Sequence, residues 1–291
     1  MRFEFMALNR HLFPIGLMAE ILQVSRSAYY AWFNRNPSLR DKENKDLEYR
    51  VASIFKIGRG NYGSPRIHAQ LKDEGFTASP NRVARIMTKL GLKAKTKRKF
   101  KSTTDSNHGL PVAPNLLNQQ FDVDVKDKVW CSDITYIRTA EGWIYLAVVI
   151  DLFSRRIIGW SMRDNMRKGL VLEALEMALR ARKPIPGAIH HSDRGSQYCC
   201  KSYQAKLKAN GLKSSMSRRA NCYDNAVVES FFHTLKTEHV FFHTYETKAE
   251  AKQSIFEFIE VFYNRQRLHS SLGYQSPVVY EEQAEVSLPA V

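Results

Sequence analysis

The stretch WCSDITYIRTAEGWIYLAVVIDLFSRRIIGWSMR, which covers residues 130–163, decides the fold. It contains three runs rich in Ile, Val, Tyr and Trp, a composition typical of strands. These runs cover residues 130–138, 143–151 and 155–163. Because the connections around Glu141-Gly142 and Phe153-Ser154 are short, the runs predict an antiparallel meander.

The residues after the meander predict helices alternating with further strands. Residues 168–182 are apolar at helical spacing and end before Pro184, and residues 188–191 are typical of a fourth strand. We also expect a helix over 203–210, a fifth strand over 212–217, and long helices over 225–240 and 248–265. The predicted fold class is therefore α/β (α+β), a ribonuclease-H-like mixed five-stranded sheet flanked by helices. The crossover helix makes the first and fourth strands parallel neighbours.

Helical units are expected before the sheet. Pro65 suits the first turn of a helix that runs through Leu71, and Ser79-Pro80 begins a second one with Val83, Ile86, Met87 and Leu90 inward. This pair predicts a helix-turn-helix. The outer face of the second helix would suit a DNA groove, although a solvated helix surface has the same pattern. Residues 15–34 also predict two short helices, as either a helix-turn-helix or a plain helical hairpin.

A basic linker separates these helices from the sheet. The run KAKTKRKFK, residues 93–101, carries six cations and is suited to phosphate contacts rather than to packing. We predict an N-terminal helical region over 1–55, a helix-turn-helix domain over 56–92 and the linker over 93–125. The catalytic core would cover 126–283 and a tail 284–291.

The charge of the chain points to a polyanionic partner. The 291 residues include 44 Lys and Arg against 29 Asp and Glu, a net charge of +15. No apolar stretch approaches the roughly 20 residues that a membrane-spanning helix needs, and the N-terminus lacks a secretory signal, so we expect a cytoplasmic protein. The four cysteines, Cys131, Cys199, Cys200 and Cys222, lack CxxC spacing, which favours buried reduced thiols over a zinc site.

Three carboxylates carry the predicted chemistry. Asp133 lies within the first strand, Asp193 follows the fourth strand in HHSDRGSQY, and Glu229 lies on a helix. Each alone is unremarkable, since aspartates in turns and glutamates on helix surfaces are common. Together they would supply the hard oxygen ligands that two divalent cations need to clamp a phosphodiester. On the helix, Asn225, Glu229 and Lys236 form one stripe.

These motifs resemble the DDE transposases and retroviral integrases, and most closely the bacterial insertion-sequence transposases encoded in a second reading frame. The resemblance depends on WCSDITYI, HSDRGSQY and NCYDNAVVESFFHTLK, with 35 residues between Asp193 and Glu229. It extends to YGSPRIHAQL from residue 62 and YNRQRLHSSLGYQSP from residue 263, and so covers nearly the whole chain. Nothing in the sequence shows a sustained heptad, and an integrase-type zinc-binding N-terminus is absent.

The resemblance implies a transposase that binds the ends of its element. It would use two Mg²⁺ or Mn²⁺ ions, held by Asp133, Asp193 and Glu229, for 3'-end cleavage and strand transfer. It also implies terminal and target DNA as partners, a homo-oligomer assembled on DNA, and a fusion with the upstream-frame product. Lys236 falls where the family places a basic residue that contacts terminal DNA. The candidate DNA-binding residues are Lys236, Asn225, Arg66, Asn81, Arg82, Arg85, Lys97, Arg98, Lys99, Arg218, Arg219, Arg265 and Arg267.

Two other functions compete with this one. A DNA-binding regulator with an inactive core would keep the helix-turn-helix, but the presence of all three carboxylates argues against it. A metal-dependent nuclease or resolvase on the same fold would cut without joining. His190 and His191, beside Asp193, are poor ligands for magnesium, so we interpret them as structural residues or DNA contacts.

Overall fold

The computed structural model describes residues 1–36, 39–95, 111–218 and 222–286, in two compact units, Met1–Ser53 and Ile54–Val291. The predicted DNA-binding residues Lys97, Arg98, Lys99 and Arg219 lie outside these ranges. Among the helices of the described ranges, none has both the length and the apolarity that crossing a bilayer requires.

The N-terminal unit is helical, as expected. Its first three helices are α1 (Arg2–Asn9), α2 (Ile15–Ile21) and α3 (Arg26–Phe33). Ser25 caps α3, since its Oγ accepts a hydrogen bond from the Ala28 amide at 3.0 Å. Met6, Met18 and Tyr29 form a small buried core, so the unpredicted α1 supplies one of its members.

The predicted helix pair before the linker is also present. After α4 (Leu39–Ile57), α5 (Ser64–Asp73) and α6 (Pro80–Lys89) each have proline in the first turn. The Ser79 Oγ accepts from the Arg82 amide at 3.2 Å and so caps α6. Val83, Ile86 and Met87 are buried as expected. Leu90 is 37% exposed, against expectation, because it lies beyond the last residue of α6.

The predicted mixed sheet is confirmed. The strand order is β3-β2-β1-β4-β5, with β1, β2 and β3 antiparallel and β4 and β5 parallel to β1. The strands are β1 (Val129–Thr139), β2 (Gly142–Asp151), β3 (Ile157–Arg163), β4 (Ile189–Ser192) and β5 (Lys213–Met216). Helix α7 (Lys168–Ala181) makes the crossover from β3 to β4. The short α8 (Ser196–Cys199) and α9 (Lys201–Ala209) lead to β5.

The sheet separates two apolar cores. On one face, α7 and α9 pack over Trp130 and the alternate residues of β2 and β3. On the other face, Val129 and Cys131 of β1 pack with helix α10 (Ala226–Glu238) and with α11 (Lys248–Phe256). A π-helix (Glu257–Tyr263) continues directly from α11. Because side chains alternate along β1, the odd-numbered residues face α10.

The chain closes with a helix that sequence patterns did not predict, α12 (Pro277–Val286). The predicted boundary between core and tail at residue 283 therefore falls inside this helix. Glu281 is 3% exposed and accepts hydrogen bonds from Ser154, Arg156 and Arg182. Burial by itself would raise the pKa of Glu281, but the hydroxyl and the two guanidinium groups lower it overall. These contacts attach α12 to the sheet.

We expect Gly159→Ala to destabilise the fold, because Gly159 of β3 lies directly beneath α7. An added Cβ would overlap the Ala174 carbonyl and lie 2.7 Å from the Ala178 amide nitrogen. The expected loss in the free energy of unfolding is about 1–3 kcal/mol, measured by urea denaturation. Gly63→Ala is the matched control, since its Cβ would meet only the Pro65 Cδ at 3.6 Å. Equal stability of the two variants would contradict close packing of α7 on β3.

We expect Glu281→Gln to lower the free energy of unfolding by about 3–5 kcal/mol, because Arg182 then keeps a buried charge without its main counter-ion. The exposed neighbour Glu282→Gln should stay within about 0.5 kcal/mol of the native chain. Thermal and urea unfolding of both variants measure the difference. A change of less than about 1 kcal/mol at Glu281 would contradict a structural role for this network.

Candidate active site

The parallel pairing of β1 and β4 brings Asp133 and Asp193 together. Ser132 of β1 is the register partner of Ser192 of β4. Each aspartate follows its serine directly, so both lie at the same level of neighbouring strands, which run about 4.8 Å apart. Asp133 within β1 and Asp193 just after β4 thus lie side by side at the carboxyl end of β4.

Backbone amides hold both carboxylates in place. The Asp133 Oδ1 accepts a hydrogen bond from the Ile134 amide at 2.8 Å. The Asp193 Oδ1 accepts from the Gly195 amide at 2.9 Å, within the turn that leads to α8. A Cβ at Gly195 would lie 3.0 Å from the same Asp193 oxygen, so this turn leaves little room for a larger residue.

Helix α10 brings Glu229 to the same place. Asp133 is an odd-numbered residue of β1 and faces the side on which α10 packs. Asn225, which precedes α10, is 4% exposed, and its Nδ2 donates to the Ser132 carbonyl at 3.3 Å. This side chain therefore attaches the start of α10 to β1, and a contact of Asn225 with DNA stays a prediction.

The three carboxylates are electrostatically coupled. Burial raises the pKa of Asp133 well above its ordinary value, and the negative charges of Asp193 and Glu229 raise it further. The Ile134 amide and the Lys236 ammonium act in the opposite direction on Asp133. Burial also raises the pKa of Glu229. Negative charge is thus costly at this point of a strongly basic chain, and a cation would relieve that cost.

The carboxylates do not form a closed metal cage in the described structure. Within residues 1–36, 39–95, 111–218 and 222–286, no three His, Cys, Asp or Glu side chains are grouped closely enough to hold an ion. Asp133, Asp193 and Glu229 are each half-buried. Their donor chemistry matches Mg²⁺ or Mn²⁺, which prefer oxygen ligands and keep open coordination positions.

Lys236 completes the polar side of α10. It is 5% exposed, and its Nζ lies 4.8 Å from the centroid of the Tyr136 ring. Burial lowers the pKa of Lys236 to about 8, while the charge of Asp133 acts to raise it. Glu229 and Lys236, which the spacing predicted to share one stripe of α10, thus both act on Asp133 of β1.

The other predicted DNA-binding residues differ in how they are placed. Asn81, Arg85 and Arg265 are exposed, and Arg82 is half-buried on α6. Arg218 pairs with the buried Asp224 at 2.8 Å. Arg267 is 4% exposed and is bound to Glu238 at 2.6 Å, so its contact with DNA stays a prediction. Arg66 is half-buried, and its Nε donates to the Leu268 carbonyl at 3.0 Å.

The histidines beside Asp193 are structural. His190 is buried, and its Nε2 lies 2.9 Å from the Ser132 Oγ and 3.0 Å from the Tyr203 hydroxyl. Burial lowers the pKa of His190 to about 3 and that of His191 to about 4, so both are neutral at pH 7. Cys131 and Cys199 are buried free thiols, as expected.

We expect Asp133→Asn to stabilise the metal-free protein at pH 8. Because folding raises the pKa of Asp133, the unfolded chain releases this proton first, and stability falls as the pH rises from the ordinary aspartate value through the folded one. Asparagine removes this loss and keeps an oxygen for the Ile134 amide. Urea unfolding in a chelator at pH 8 and pH 4 measures the effect, which should shrink at pH 4. Asp164→Asn, at an exposed aspartate, is the control, and a variant less stable than the native chain at pH 8 would contradict the coupling.

Comparison with known protein families agrees with this architecture. The integrase core domain family matches residues 125–222, a second integrase core domain family matches residues 210–277, and an HTH-like domain family matches residues 41–100. The first two ranges contain the sheet and α10. The third contains α5 and α6.

Individual proteins match over nearly the whole chain. The insertion element IS600 uncharacterized 31 kDa protein of Shigella sonnei is 46% identical over 265 residues, covering 91% of this chain and 97% of that protein. Transposase InsF for insertion sequence IS3A of Escherichia coli (strain K12) is 42% identical over 283 residues, covering 97% and 98%.

Two solved structures are more distant. The simian T-cell lymphotropic virus intasome in complex with PP2A regulatory subunit B56 gamma shares 12% identity at a TM-score of 0.47, covering 83% of this chain and 76% of that one. The catalytic core domain of BIV integrase shares 16% at a TM-score of 0.41, covering 55% and 97%. This chain is more than 40% identical to the InsF protein along nearly its full length, and it matches the HTH-like and integrase core domain families. It therefore belongs to the family of insertion-sequence transposases, with an HTH-like domain and an integrase core domain.

Proposed function

We propose that the chain cuts DNA at the ends of its insertion sequence and joins the freed 3' ends to target DNA, with Asp133, Asp193 and Glu229 as the catalytic carboxylates. One observation carries the proposal: the parallel register of β1 and β4 places Asp133 beside Asp193, and the charge of Glu229 on α10 also acts on Asp133. In a protein of net charge +15, neighbouring acids of this kind are expected at a site where divalent cations bind a phosphodiester.

Two Mg²⁺ or Mn²⁺ ions would be held by the carboxylate oxygens of Asp133, Asp193 and Glu229. When bound, such ions would supply Lewis-acid chemistry that activates the attacking oxygen and stabilises the leaving oxygen. The chain's own residues position these ligands: the Ile134 and Gly195 amides orient the aspartates, and Asn225 attaches α10 to β1. Lys236 limits the accumulated negative charge.

The proposed chemistry consists of two transfers at phosphorus. In the first, water attacks the phosphodiester at the element end, and the bond to the 3' oxygen breaks to leave a 3' hydroxyl. In the second, that hydroxyl attacks a target phosphodiester and displaces another 3' oxygen. Both transfers break and form one P–O bond, so no covalent enzyme intermediate is required.

DNA would be held by surfaces outside the carboxylate site. The exposed Asn81 and Arg85 on α6 would enter a groove, and the basic linker with Lys97, Arg98 and Lys99 would contact phosphates. Arg265 is exposed on the C-terminal side of the core. We further propose that two or more copies assemble on the element ends, in fusion with an upstream-frame product where one exists.

We expect Asp193→Asn to reduce DNA cleavage and joining on the order of 10²–10⁴-fold while DNA binding persists, because the change removes charge and keeps size. Cleavage and strand transfer on labelled element-end DNA with Mg²⁺, using the chain alone and its fusion, measure both steps. Asp124→Asn, an exposed aspartate in the segment before β1, is the matched control and should react like the native chain.

The alternatives give different outcomes in the same assay. A native chain that binds DNA but neither cuts nor joins, even as the fusion, would identify an inactive DNA-binding protein. Cleavage without strand-transfer products would identify a nuclease. Unchanged activity of Asp193→Asn would remove this carboxylate from the mechanism.

A further inference from the structure

A basic cavity lies on the other flank of α10 from Glu229. Its volume is about 350 Å³, and it is lined by Arg66, Arg155 and Arg267, by hydroxyl groups that include Ser230 and Thr234, and by the first turn of α10. Ser230 is exposed, so the cavity is open to solvent. No aspartate or glutamate is among the described residues that line it.

Arg155, in the turn between β2 and β3, was not singled out by sequence analysis. Its backbone has φ of +60°, and its amide donates to the Asp151 carbonyl at 2.8 Å. The Nη2 donates to the Phe121 carbonyl at 2.9 Å, but the buried Nη1 has no hydrogen-bond partner in the described part of the chain. An arginine donor that is withdrawn from water and left unpaired is costly unless a ligand accepts from it.

Arg66 faces the same cavity from α5. Its Nε is engaged by the Leu268 carbonyl, and no carboxylate in the described ranges forms an ion pair with its guanidinium. Burial lowers the pKa of Arg66, and the charge of Arg267 lowers it further, while Glu238 acts to raise it. Its positive charge is therefore under repulsion and would be stabilised by an added anion.

The balance of charge around the cavity favours an anion. Glu238 accepts from the Arg267 Nε at 2.7 Å and neutralises that one cation. All three arginines act on His269. Burial lowers the pKa of His269 well below its ordinary value, and the charges of Arg267, Arg66 and Arg155 lower it further. His269 is thus neutral. Glu238 pairs with Arg267, and Asp122 and Asp151 act on Arg155 from outside the cavity lining, so the lining itself carries only positive charge.

We propose that this cavity, which we call the Arg66–Arg155 cavity, binds a single backbone phosphate of the DNA on which the transposase acts. A phosphodiester offers two non-bridging oxygens and one negative charge, which suit guanidinium donors and the hydroxyls of Ser230 and Thr234. Ser230 directly follows Glu229, so the same helix carries both sites, and one strand passes from the cavity to the carboxylates. This inference rests on the proposed function, because it takes DNA as the ligand.

The test measures how the affinity for a fluorescently labelled duplex depends on salt. The slope of log Kd against log salt concentration reports the number of neutralised phosphates, at about 0.9 for each. We expect the double variant Arg66→Gln/Arg155→Gln to lower this slope by about 1 and to weaken binding about tenfold at 0.1 M KCl. Each single variant should produce most of this effect, because both arginines share one phosphate.

The matched control is Arg180→Gln/Lys201→Gln, which removes the same charge from α7 and α9 on the opposite face of the sheet. It should leave the slope unchanged. Arg155→Lys, which keeps the charge and loses the guanidinium fork, should retain the slope and lose part of the affinity. Thermal unfolding of each variant shows whether it is folded. If Arg155→Gln does not fold, the salt dependence of Arg66→Gln alone tests the proposal.

The outcomes separate this inference from the proposed function. A native slope in folded Arg66→Gln and Arg155→Gln variants, with cutting and joining intact in the native chain, overturns the cavity proposal alone. A duplex that the native chain does not bind at all overturns both. Inorganic phosphate at constant ionic strength should compete with the duplex. If it raises the melting temperature of the native chain but not of Arg155→Gln, while the slopes are equal, the cavity is a small-anion site and the assignment to DNA is wrong.

Discussion

The parallel register between β1 and β4 is the constraint on which the site depends. Ser132 pairs with Ser192, and this pairing alone brings Asp133 and Asp193 to one level although 59 residues separate them in the sequence. The crossover helix α7 makes the register possible, and Gly159 lets that helix lie close against β3. The packing of α7 on β3 therefore supports the crossover that makes this strand pairing possible.

Helix α10 converts this pair of acids into a site. Its apolar stripe, which includes Phe231 and Leu235, packs into the core beneath β1, and Asn225 attaches its first turn to the strand. The same packing that fixes α10 also buries acids near one another and raises the pKa of Asp133. The raised pKa shows that negative charge here lowers the stability of the fold, and this is the place where we propose that cations bind.

The C-terminal segment connects the helix pair before the linker to the core. The Tyr62 hydroxyl donates to the Gln266 carbonyl at 3.0 Å, and Arg59 pairs with Glu257 of the π-helix. Arg267 and Glu238 form a buried ion pair between this segment and the end of α10. Among the basic residues that the sequence suggested for DNA binding, Arg267 is thus paired inside the protein, and Arg66 lines the Arg66–Arg155 cavity.

The sequence by itself determined the strands, the crossover, the helix pair with its caps and the family, because hydrophobic periodicity, proline and serine caps, and short motifs are local signals. It also identified Asp133, Asp193 and Glu229 as candidates, although their catalytic roles stay predictions. Only the tertiary structure decided which polar residues face inward. Asn225, Arg267 and Glu281 are polar residue types that usually lie on the surface. Their hydrogen-bond partners lie 29 to 127 residues away, so the neighbouring sequence does not reveal that they are buried. Burial and charge pairing depend on distant contacts, which is why α12 and Arg155 emerged from the fold alone.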